Sequence, residues 1–564
     1  MDAKNLGYSL KNIPSPTKAA YLKSLIDKVE HFLKRMRWKA FFFDKELSKK
    51  TKGNDTEDKE PVHNYGFKTP RTPPKNYHLN AFEEDLYKLI QNIEFDPRIN
   101  DFQQKLKRDI ETINSSDKLL IPADKSTNLY EVDIEQYNKL LHENITKSYK
   151  KTSSNSKHAI DIEAKAIASS LSLDDRVQQL AAKEAFVTLK DHKSNFLNKP
   201  ACRLINPAKS ELGRVSKSIL ERVVSDISQE SSLNQWRSTS TVIDWFKNLR
   251  SKHRSSFIKF DIVDFYPSIT ESLLDRAIEF ASSFTTLAHD EIKIIKHSRK
   301  ALLFSNSSQW VKKQGNEEFD VTMGSYDGAE VCELVGLYLL SKLTDVLEEG
   351  RVGLYRDDGL AAVVSRSGRL LDQLRKRILK IFEAEGLSIT IEINLQRTDF
   401  LDVMLDLESG KFSPYRKPNN EPLYINAKSN HPPSIISELP KMINRRISDL
   451  SCNEEEFNKA KGQYEASLVN SGYEPELKFD ANRAPRRNRN RKVIWFNPPY
   501  NSCVRTNVGK KFLKLIKKHF TANHHFRKIF NENTIKLSYS CMPSIGSAIK
   551  RHNSKLLNPT NWLN

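Results

Sequence analysis

The sequence predicts an α+β fold with a helical N-terminal region, and three observations support this. Apolar residues recur at intervals of three and four over residues 19–36, and similar amphipathic segments follow at 82–93, 102–113 and 133–145. From about residue 184, short β-like runs alternate with helical segments. A chain of 564 residues with 38% hydrophobic content can bury several cores. We therefore predict a helical region over residues 1–178 and an α+β region over 179–410.

The sequence lacks the features of a membrane or secreted protein. No stretch approaches about 18 consecutive apolar residues, and residues 1–16 do not contain the apolar run of a signal peptide. The five cysteines are odd in number and widely spaced, so neither a disulfide framework nor a Cys-x-x-Cys zinc site is expected. We expect a protein of the nucleus or cytosol, with the nucleus preferred and no membrane partner.

The net charge of +20 is concentrated at one end of the chain. Residues 483–564 hold 18 Lys and Arg but a single acid, Glu532, and so carry +17 of that total. This predicts a polyanion partner, with a solubilising tail or a nuclear import signal as the alternatives. Aromatic residues interleaved with the charges favour a folded surface able to pack or to stack on bases. The candidate nucleic-acid-binding residues are Arg486, Arg487, Arg489, Arg491, Lys492, Lys510, Lys511, Lys514, Lys517 and Lys518.

An acidic segment at 255–280 begins with a predicted strand at 257–262, which contains Asp261. Ser268 and Glu271 have the spacing of a capping box and predict the start of an amphipathic helix. A carboxylate within a buried strand is costly, so Asp261 requires a partner. A lysine or a metal ion could serve.

Residues 353–364, GLYRDDGLAAVV, predict a hairpin with adjacent aspartates, Asp357 and Asp358, near its tip. Taken alone, Asp-Gly is a common surface turn with Gly359 as its turn residue. The chain between Asp261 and this hairpin is long enough to return beside the first strand. Three carboxylates on one small sheet would repel each other, and two divalent cations would neutralise them, as in sites for in-line displacement at phosphorus. An all-oxygen ligand set favours Mg²⁺, with Mn²⁺ as the alternative.

The segment KLLIPADKSTNLYEV at 118–132 predicts a strand or turn between two helices. Asp124 and Lys125 at its centre could form an exposed turn or contact nucleic acid.

Several segments, in one order along the chain, resemble the motifs of reverse transcriptases. FDIVDFY at 260–266, MGSYDGAE at 323–330 and YRDD at 355–358 resemble motifs A, B and C, while GLSITIEIN and FLDVMLDL resemble motifs D and E. FVTLKDHK at 186–193 and KPACRLINP at 199–207 resemble the finger motifs. More narrowly, MGSYDGAEVCELVGL, YRKPNNEPLYINAKSNHPP and WFNPPYN resemble Penelope-like element reverse transcriptases, which are relatives of telomerase reverse transcriptase.

The resemblance implies roles for individual residues. Asp261, Asp357 and Asp358 would be the catalytic carboxylates that hold two Mg²⁺ ions. The ring of Tyr266 would lie under the incoming sugar and exclude a 2′ hydroxyl. Arg203, with Lys190 or Lys193, would bind the triphosphate. Gly324 would let motif B approach the template and nucleotide closely.

The resemblance also implies a right-hand polymerase, with fingers and palm at 179–410, a thumb at 411–482 and a basic extension at 483–564. The implied activity is RNA-directed DNA polymerisation by a retrotransposon enzyme, which uses an RNA template, dNTPs and a DNA primer or chromosome end. Many Penelope-like elements end in a GIY-YIG endonuclease domain, and this sequence contains no such motif. We therefore expect an endonuclease-lacking form, one shortened before that domain, or one whose nuclease is a separate protein. The alternatives are a non-catalytic domesticated RNA-binding scaffold and an RNA-dependent RNA polymerase, which the aromatic Tyr266 disfavours.

Overall fold

A computed structural model of the chain describes residues 2–51, 72–124, 126–171, 183–191, 196, 198–313, 318–417, 421–481 and 493–558. Lys193 and the basic cluster at 486–492 lie outside these ranges, as does Lys125. Within them, no helix combines the length and the apolar character needed to cross a bilayer.

The N-terminal part of the chain is mainly helical, as its periodicity predicts. The predicted strand or turn at 118–132 is a hairpin of two strands, β2 and β3, and the strand β1 pairs with β3. The helices are α1 (Lys18–Thr51), α2 (Tyr77–Gln91), α3 (Asp101–Ser115), α4 (Ile134–Ser148) and α5 (Ser156–Ser170). The strands are β1 (Asp2–Lys4), β2 (Leu119–Pro122), β3 (Leu129–Val132) and β4 (Tyr149–Lys151).

The next segment forms a hairpin and two helices. The strands β5 (Phe186–Leu189) and β6 (Cys202–Ile205) pair antiparallel, with Leu189 opposite Cys202. The helices α6 (Glu211–Glu230) and α7 (Thr239–Asn248) follow, separated by the short strand β7 (Asn234–Gln235).

A five-stranded sheet occupies the centre of the α+β region. Four of its strands are β8 (Ser256–Ile262), β11 (Val352–Tyr355), β12 (Asp358–Val363) and β13 (Ile389–Leu395), and they contain the segments similar to motifs A, C and D. The strand order, which includes β7, is β13-β8-β12-β11-β7. The helices and strands between them are α8 (Phe265–Ser268), α9 (Glu271–Ala281), α10 (His289–His297), β9 (Leu303–Ser305), β10 (Ser308–Lys312), α11 (Gly328–Leu343) and α12 (Gly368–Ala384).

Side chains on the two faces of β8 enter different cores. Ile258, Phe260 and Ile262 pack with the apolar faces of the helices α6, α9, α11 and α12. Phe257 points to the opposite face, where it packs with α7 and with the strands β14 (Arg397–Phe400), β15 (Val403–Asp406) and β16 (Phe412–Pro414). Because successive side chains of a strand alternate, Asp261 shares the second face with Phe257.

The predicted start of the helix after β8 is wrong by two residues. Thr270 is the residue that caps α9, since its side chain accepts a hydrogen bond from the Leu273 amide. Ser268 instead ends the short helix α8, and its hydroxyl donates to the Asp264 carbonyl at 2.9 Å. Ser and Thr are both favoured N-cap residues, and the prediction chose Ser268 because Glu271 follows it by three positions.

The two ends of the chain share one hydrophobic core. Phe496, Phe512 and Phe520 are fully buried and pack against α1 and α2. Most aromatic residues of the basic segment are therefore core residues, whereas Trp495 is 45% exposed. The last elements are α13 (Pro433–Leu450), α14 (Glu454–Asn470), β17 (Ile494–Phe496), α15 (Val508–His519), β18 (Ile535–Leu537) and α16 (Ile545–Leu557).

Truncation of a buried ring in this shared core should destabilise the protein far more than truncation of the exposed one. Removing a buried Phe side chain costs about 3–5 kcal/mol, so Phe512→Ala should lower the melting temperature by about 5–10 °C. Trp495→Ala is the matched control, and it should shift the melting temperature by about 1 °C or less. Equal melting of the two variants by circular dichroism would contradict a core role for Phe512.

Candidate active site

Asp261 and Asp358 lie directly opposite each other on the neighbouring antiparallel strands β8 and β12. The Ile262 amide donates to the Asp357 carbonyl at 2.9 Å, which makes the adjacent Asp261–Asp358 pair a closely spaced, non-hydrogen-bonded one. Directly opposed residues in such a ladder have Cβ atoms about 4.5–5.5 Å apart, and like charges there destabilise the sheet. The structure thus brings two of the predicted carboxylates together on one face.

Asp357 adds a third negative charge at the tip of the hairpin. Burial raises the pKa of Asp358 to about 6, and Asp357 and Asp261 contribute to that rise. Asp261 itself is exposed at the end of β8. Burial therefore disfavours the charged form of Asp358, and not that of Asp261 as predicted.

Lys259 is a site residue that the sequence reasoning did not single out. It precedes Asp261 by two positions, so it lies on the same face of β8. Its Nζ is 3.1 Å from Asp399 Oδ1 on β14, and Lys259 and Lys417 partly offset the rise in the pKa of Asp358. The alternation of side chains along β8 could have identified it.

The carboxylates have the ligand chemistry that Mg²⁺ prefers, because all their donor atoms are oxygens. Among the described residues, however, no group of three or more His, Cys, Asp or Glu side chains is arranged to hold a metal ion. Asp261 and Asp358 oppose each other on one face of the sheet, and Asp357 lies beside them in the hairpin turn. The donor set fits the ion, since Mg²⁺ is usually held by one or two protein carboxylates and several waters.

The hairpin turn consists of Arg356 and Asp357, so the assignment of Gly359 as the turn residue is wrong. Tyr355 pairs with Asp358, and Arg356 adopts a left-handed backbone with φ of 56°. Gly359 is in β12, where a Cβ atom would lie 2.1 Å from the Phe260 ring. Glycine is required there because this ring packs directly on the backbone.

Tyr266 lies just beyond Asp261, in α8, and its side chain is half-buried. Burial raises its pKa to about 12, Cys332 and Asp357 add to the rise, and Arg356 opposes it. On its other side, a Cβ added to Gly328 would meet the ring at 3.5 Å. The tyrosine ring therefore packs against the start of α11.

Gly324 has φ of 128°, and a Cβ there would lie 2.4 Å from the Asn206 carbonyl oxygen. The glycine thus allows the segment before α11 to approach the chain that follows β6. Asp327, at the start of α11, forms a fully buried ion pair with Arg299. These two contacts hold the motif B segment against its neighbours.

The predicted triphosphate-binding residues lie on the β5–β6 hairpin. Arg203 is in β6, and its Nη1 is 3.1 Å from Asp124 Oδ1. Lys190 follows β5, and its backbone amide donates to the Ala201 carbonyl at 2.8 Å.

The basic residues of α15 occupy the face of the helix opposite to its buried side. Lys510, Lys511 and Lys514 are exposed, and within the described residues they form no ion pair. Lys517 is paired with Glu532 at 2.9 Å and Lys518 with Asp85 at 2.6 Å. Three of the five predicted lysines of this helix are thus available to a polyanion.

No protein-family model and no curated protein matches the chain. Solved structures similar to it include telomerase from Candida albicans in complex with a fragment of telomeric RNA, at a TM-score of 0.40 and 11% identity, covering 76% of this chain and 74% of that one. Apo telomerase from Candida tropicalis matches at 0.39 and 11%, covering 70% and 74%. The RNA-dependent RNA polymerase of a human picobirnavirus matches at 0.38 and 11%, covering 72% and 87%.

Without metal, the Asp358 carboxyl should make the stability of the protein fall as the pH rises. Its pKa of about 6 exceeds the usual value of 3.8, so between about pH 4 and 6 the folded state binds more protons than the unfolded state. Above pH 6, ionisation costs the folded state at most about 3 kcal/mol. In EDTA, Asp358→Asn should therefore melt at a higher temperature than the wild type at pH 7.5, and the difference should vanish near pH 4.

Asp372→Asn is the control for this measurement. Lys376 and Arg375 hold the pKa of the exposed Asp372 carboxyl below its usual value, so its pH dependence has the opposite sign. A lower melting temperature for Asp358→Asn than for the wild type at pH 7.5 would contradict the repulsion inferred here.

Proposed function

We propose that the protein is an RNA-directed DNA polymerase, a nucleotidyltransferase that extends a DNA 3′ end on an RNA template. The observation that carries the proposal is the direct opposition of Asp261 and Asp358, with Asp357 beside them on the hairpin tip. This arrangement costs stability in the metal-free fold, as the raised pKa of Asp358 indicates. Carboxylates that repel each other and destabilise the fold without metal are typical of metal-dependent active sites.

In this proposal Asp261, Asp357 and Asp358 hold two Mg²⁺ ions, which Mn²⁺ could replace. Cations bound at such a site would lower the pKa of the primer 3′ hydroxyl and stabilise the negative charge of the departing pyrophosphate. Lys259 reduces the repulsion between the carboxylates, while Asp399 fixes the position of its ammonium group. The sheet thus presents Asp261 and Asp358 on one face before the cations bind, with Asp357 beside them in the turn.

Further residues would act on the incoming nucleotide and on the template beside it. The Tyr266 ring, which packs against the start of α11, would block a 2′ hydroxyl and so select dNTPs. Arg203 would bind the triphosphate, assisted by Lys190, and Lys193 belongs to the same proposal. Gly324 would leave room for the backbone of motif B beside the template.

Exposed lysines on α15 would bind the template–primer duplex through its phosphates. Lys510, Lys511 and Lys514 are the residues of this set with no acidic partner in the described structure. Since each phosphate contact releases counterions, duplex binding would weaken steeply with salt. Membership of the Penelope-like group, which rests on the sequence motifs, and a nuclear location are parts of the same proposal.

Asp357→Asn should abolish nucleotide incorporation and leave duplex binding intact. The change removes one carboxylate charge but keeps the size of the side chain, so we expect a loss of about 10³-fold or more in primer extension. Binding of an RNA–DNA duplex, measured by fluorescence anisotropy, should change by about twofold or less. Asp372→Asn, on the exposed face of α12, is the control and should extend primers normally. Comparable incorporation by Asp357→Asn would refute the site.

A further inference from the structure

Asp124 is neither an exposed turn residue nor oriented freely towards solvent. Its side chain is 12% exposed, and Oδ1 is 3.1 Å from Nη1 of Arg203, whose side chain is 33% exposed. Asp124 belongs to the loop between β2 and β3, whereas Arg203 is in β6, so the contact joins the N-terminal region to the β5–β6 hairpin.

The backbone of Asp124 is fixed to the same hairpin that contains Arg203. The Asp124 amide donates to the Leu189 carbonyl at 2.7 Å, and Ala123 forms a β-bridge with Leu189. Leu189 in turn pairs with Cys202, the neighbour of Arg203. Backbone hydrogen bonds therefore connect Asp124 to the hairpin whose second strand contains Arg203.

A second carboxylate holds the rest of this loop. Asp191 Oδ2 accepts hydrogen bonds from Ser126 Oγ at 2.5 Å, Asn128 Nδ2 at 2.9 Å and the Tyr130 hydroxyl at 3.2 Å. Asp191 follows β5, so the β2–β3 loop is bound to the hairpin at two points. These contacts hold the backbone of the loop close to the strand that contains Arg203.

The Asp124–Arg203 contact leaves polar atoms unused. Asp124 Oδ2, Arg203 Nε and Thr188 Oγ1 are buried and, within the part of the chain that the structure describes, have no hydrogen-bond partner. Thr188 is the cross-strand partner of Arg203. A buried donor without a partner costs free energy, so a site with this much unused capacity favours the binding of a further polar group.

We propose that Asp124 is a positioning residue that orients the Arg203 guanidinium towards the triphosphate of the incoming nucleotide. This inference rests on the proposed function and deepens it. A free Arg side chain loses rotamer entropy when it binds phosphate, and a fixed carboxylate partner reduces that loss before the nucleotide arrives. The N-terminal region would thereby contribute to nucleotide affinity without touching the nucleotide.

Steady-state primer extension with Asp124→Ala, Asp124→Asn, Arg203→Ala and the double variant Asp124→Ala/Arg203→Ala tests the proposal. Asp124→Ala should raise KM for dTTP about 10-fold while kcat changes by about twofold or less. Asp124→Asn, which keeps one acceptor oxygen, should give an intermediate KM. The double variant should match Arg203→Ala, because a positioning residue has no effect once its target is absent.

Glu131→Gln is the matched control, since Glu131 is in the same β2–β3 hairpin but pairs with Lys4 at 2.5 Å. It should leave KM and kcat unchanged. An unchanged KM in Asp124→Ala overturns the proposal. A lower KM also overturns it, because Asp124 would then compete with the triphosphate. Independent effects that multiply in the double variant overturn it as well.

Equilibrium binding separates this inference from the proposed function. If the wild type incorporates no nucleotide, the proposed function fails, but dTTP binding by isothermal titration calorimetry still tests the pair. Asp124→Ala should then weaken dTTP binding about 10-fold, with Glu131→Gln unchanged. Absence of dTTP binding by the wild type would overturn both.

Discussion

Electrostatic repulsion on one face of the central sheet is the constraint on which the site depends. The antiparallel pairing of β8 with β12 places Asp261 opposite Asp358, and a shift of one residue would move Asp358 to the helix-covered face. Phe260 opposes such a shift, because its ring occupies the space that any side chain at position 359 would need. The packing of Phe260 on one face thus keeps Asp261 and Asp358 opposite each other on the other face.

The surroundings of the sheet serve the same arrangement. Helices bury the face that carries Phe260, while Lys259 and Asp399 connect β8 to β14 on the acidic face. At a distance from the sheet, α15 buries Phe512 and Ile516 against α1 and α2 and so presents its lysines outward. The basic surface therefore depends on a core built from both ends of the chain.

Local patterns in the sequence predicted much of this fold. The periodicity of residues 19–36 predicted α1, and the short β-like runs at 257–262 and 353–364 predicted β8 and the hairpin of β11 and β12. Features set by distant contacts could not be read in the same way. Gly359 resembled a turn residue because its partner, Phe260, is remote in sequence. The sequence left open whether the aromatic residues near α15 pack or stack on bases, because their contacts with α1 join distant parts of the chain. The Asp124–Arg203 pair was missed for the same reason, since 79 residues separate its members.

Primer extension by the wild-type protein on an RNA template tests the central claim most directly. With a DNA primer and Mg²⁺, the account predicts incorporation of dNTPs, loss of activity in EDTA, recovery in Mn²⁺ and discrimination against NTPs, which Tyr266→Ala should relax. Incorporation of NTPs in preference to dNTPs by the wild type would indicate an RNA polymerase. Absence of incorporation with either nucleotide and either metal, in a protein that binds the duplex, would contradict a catalytic role for Asp261, Asp357 and Asp358.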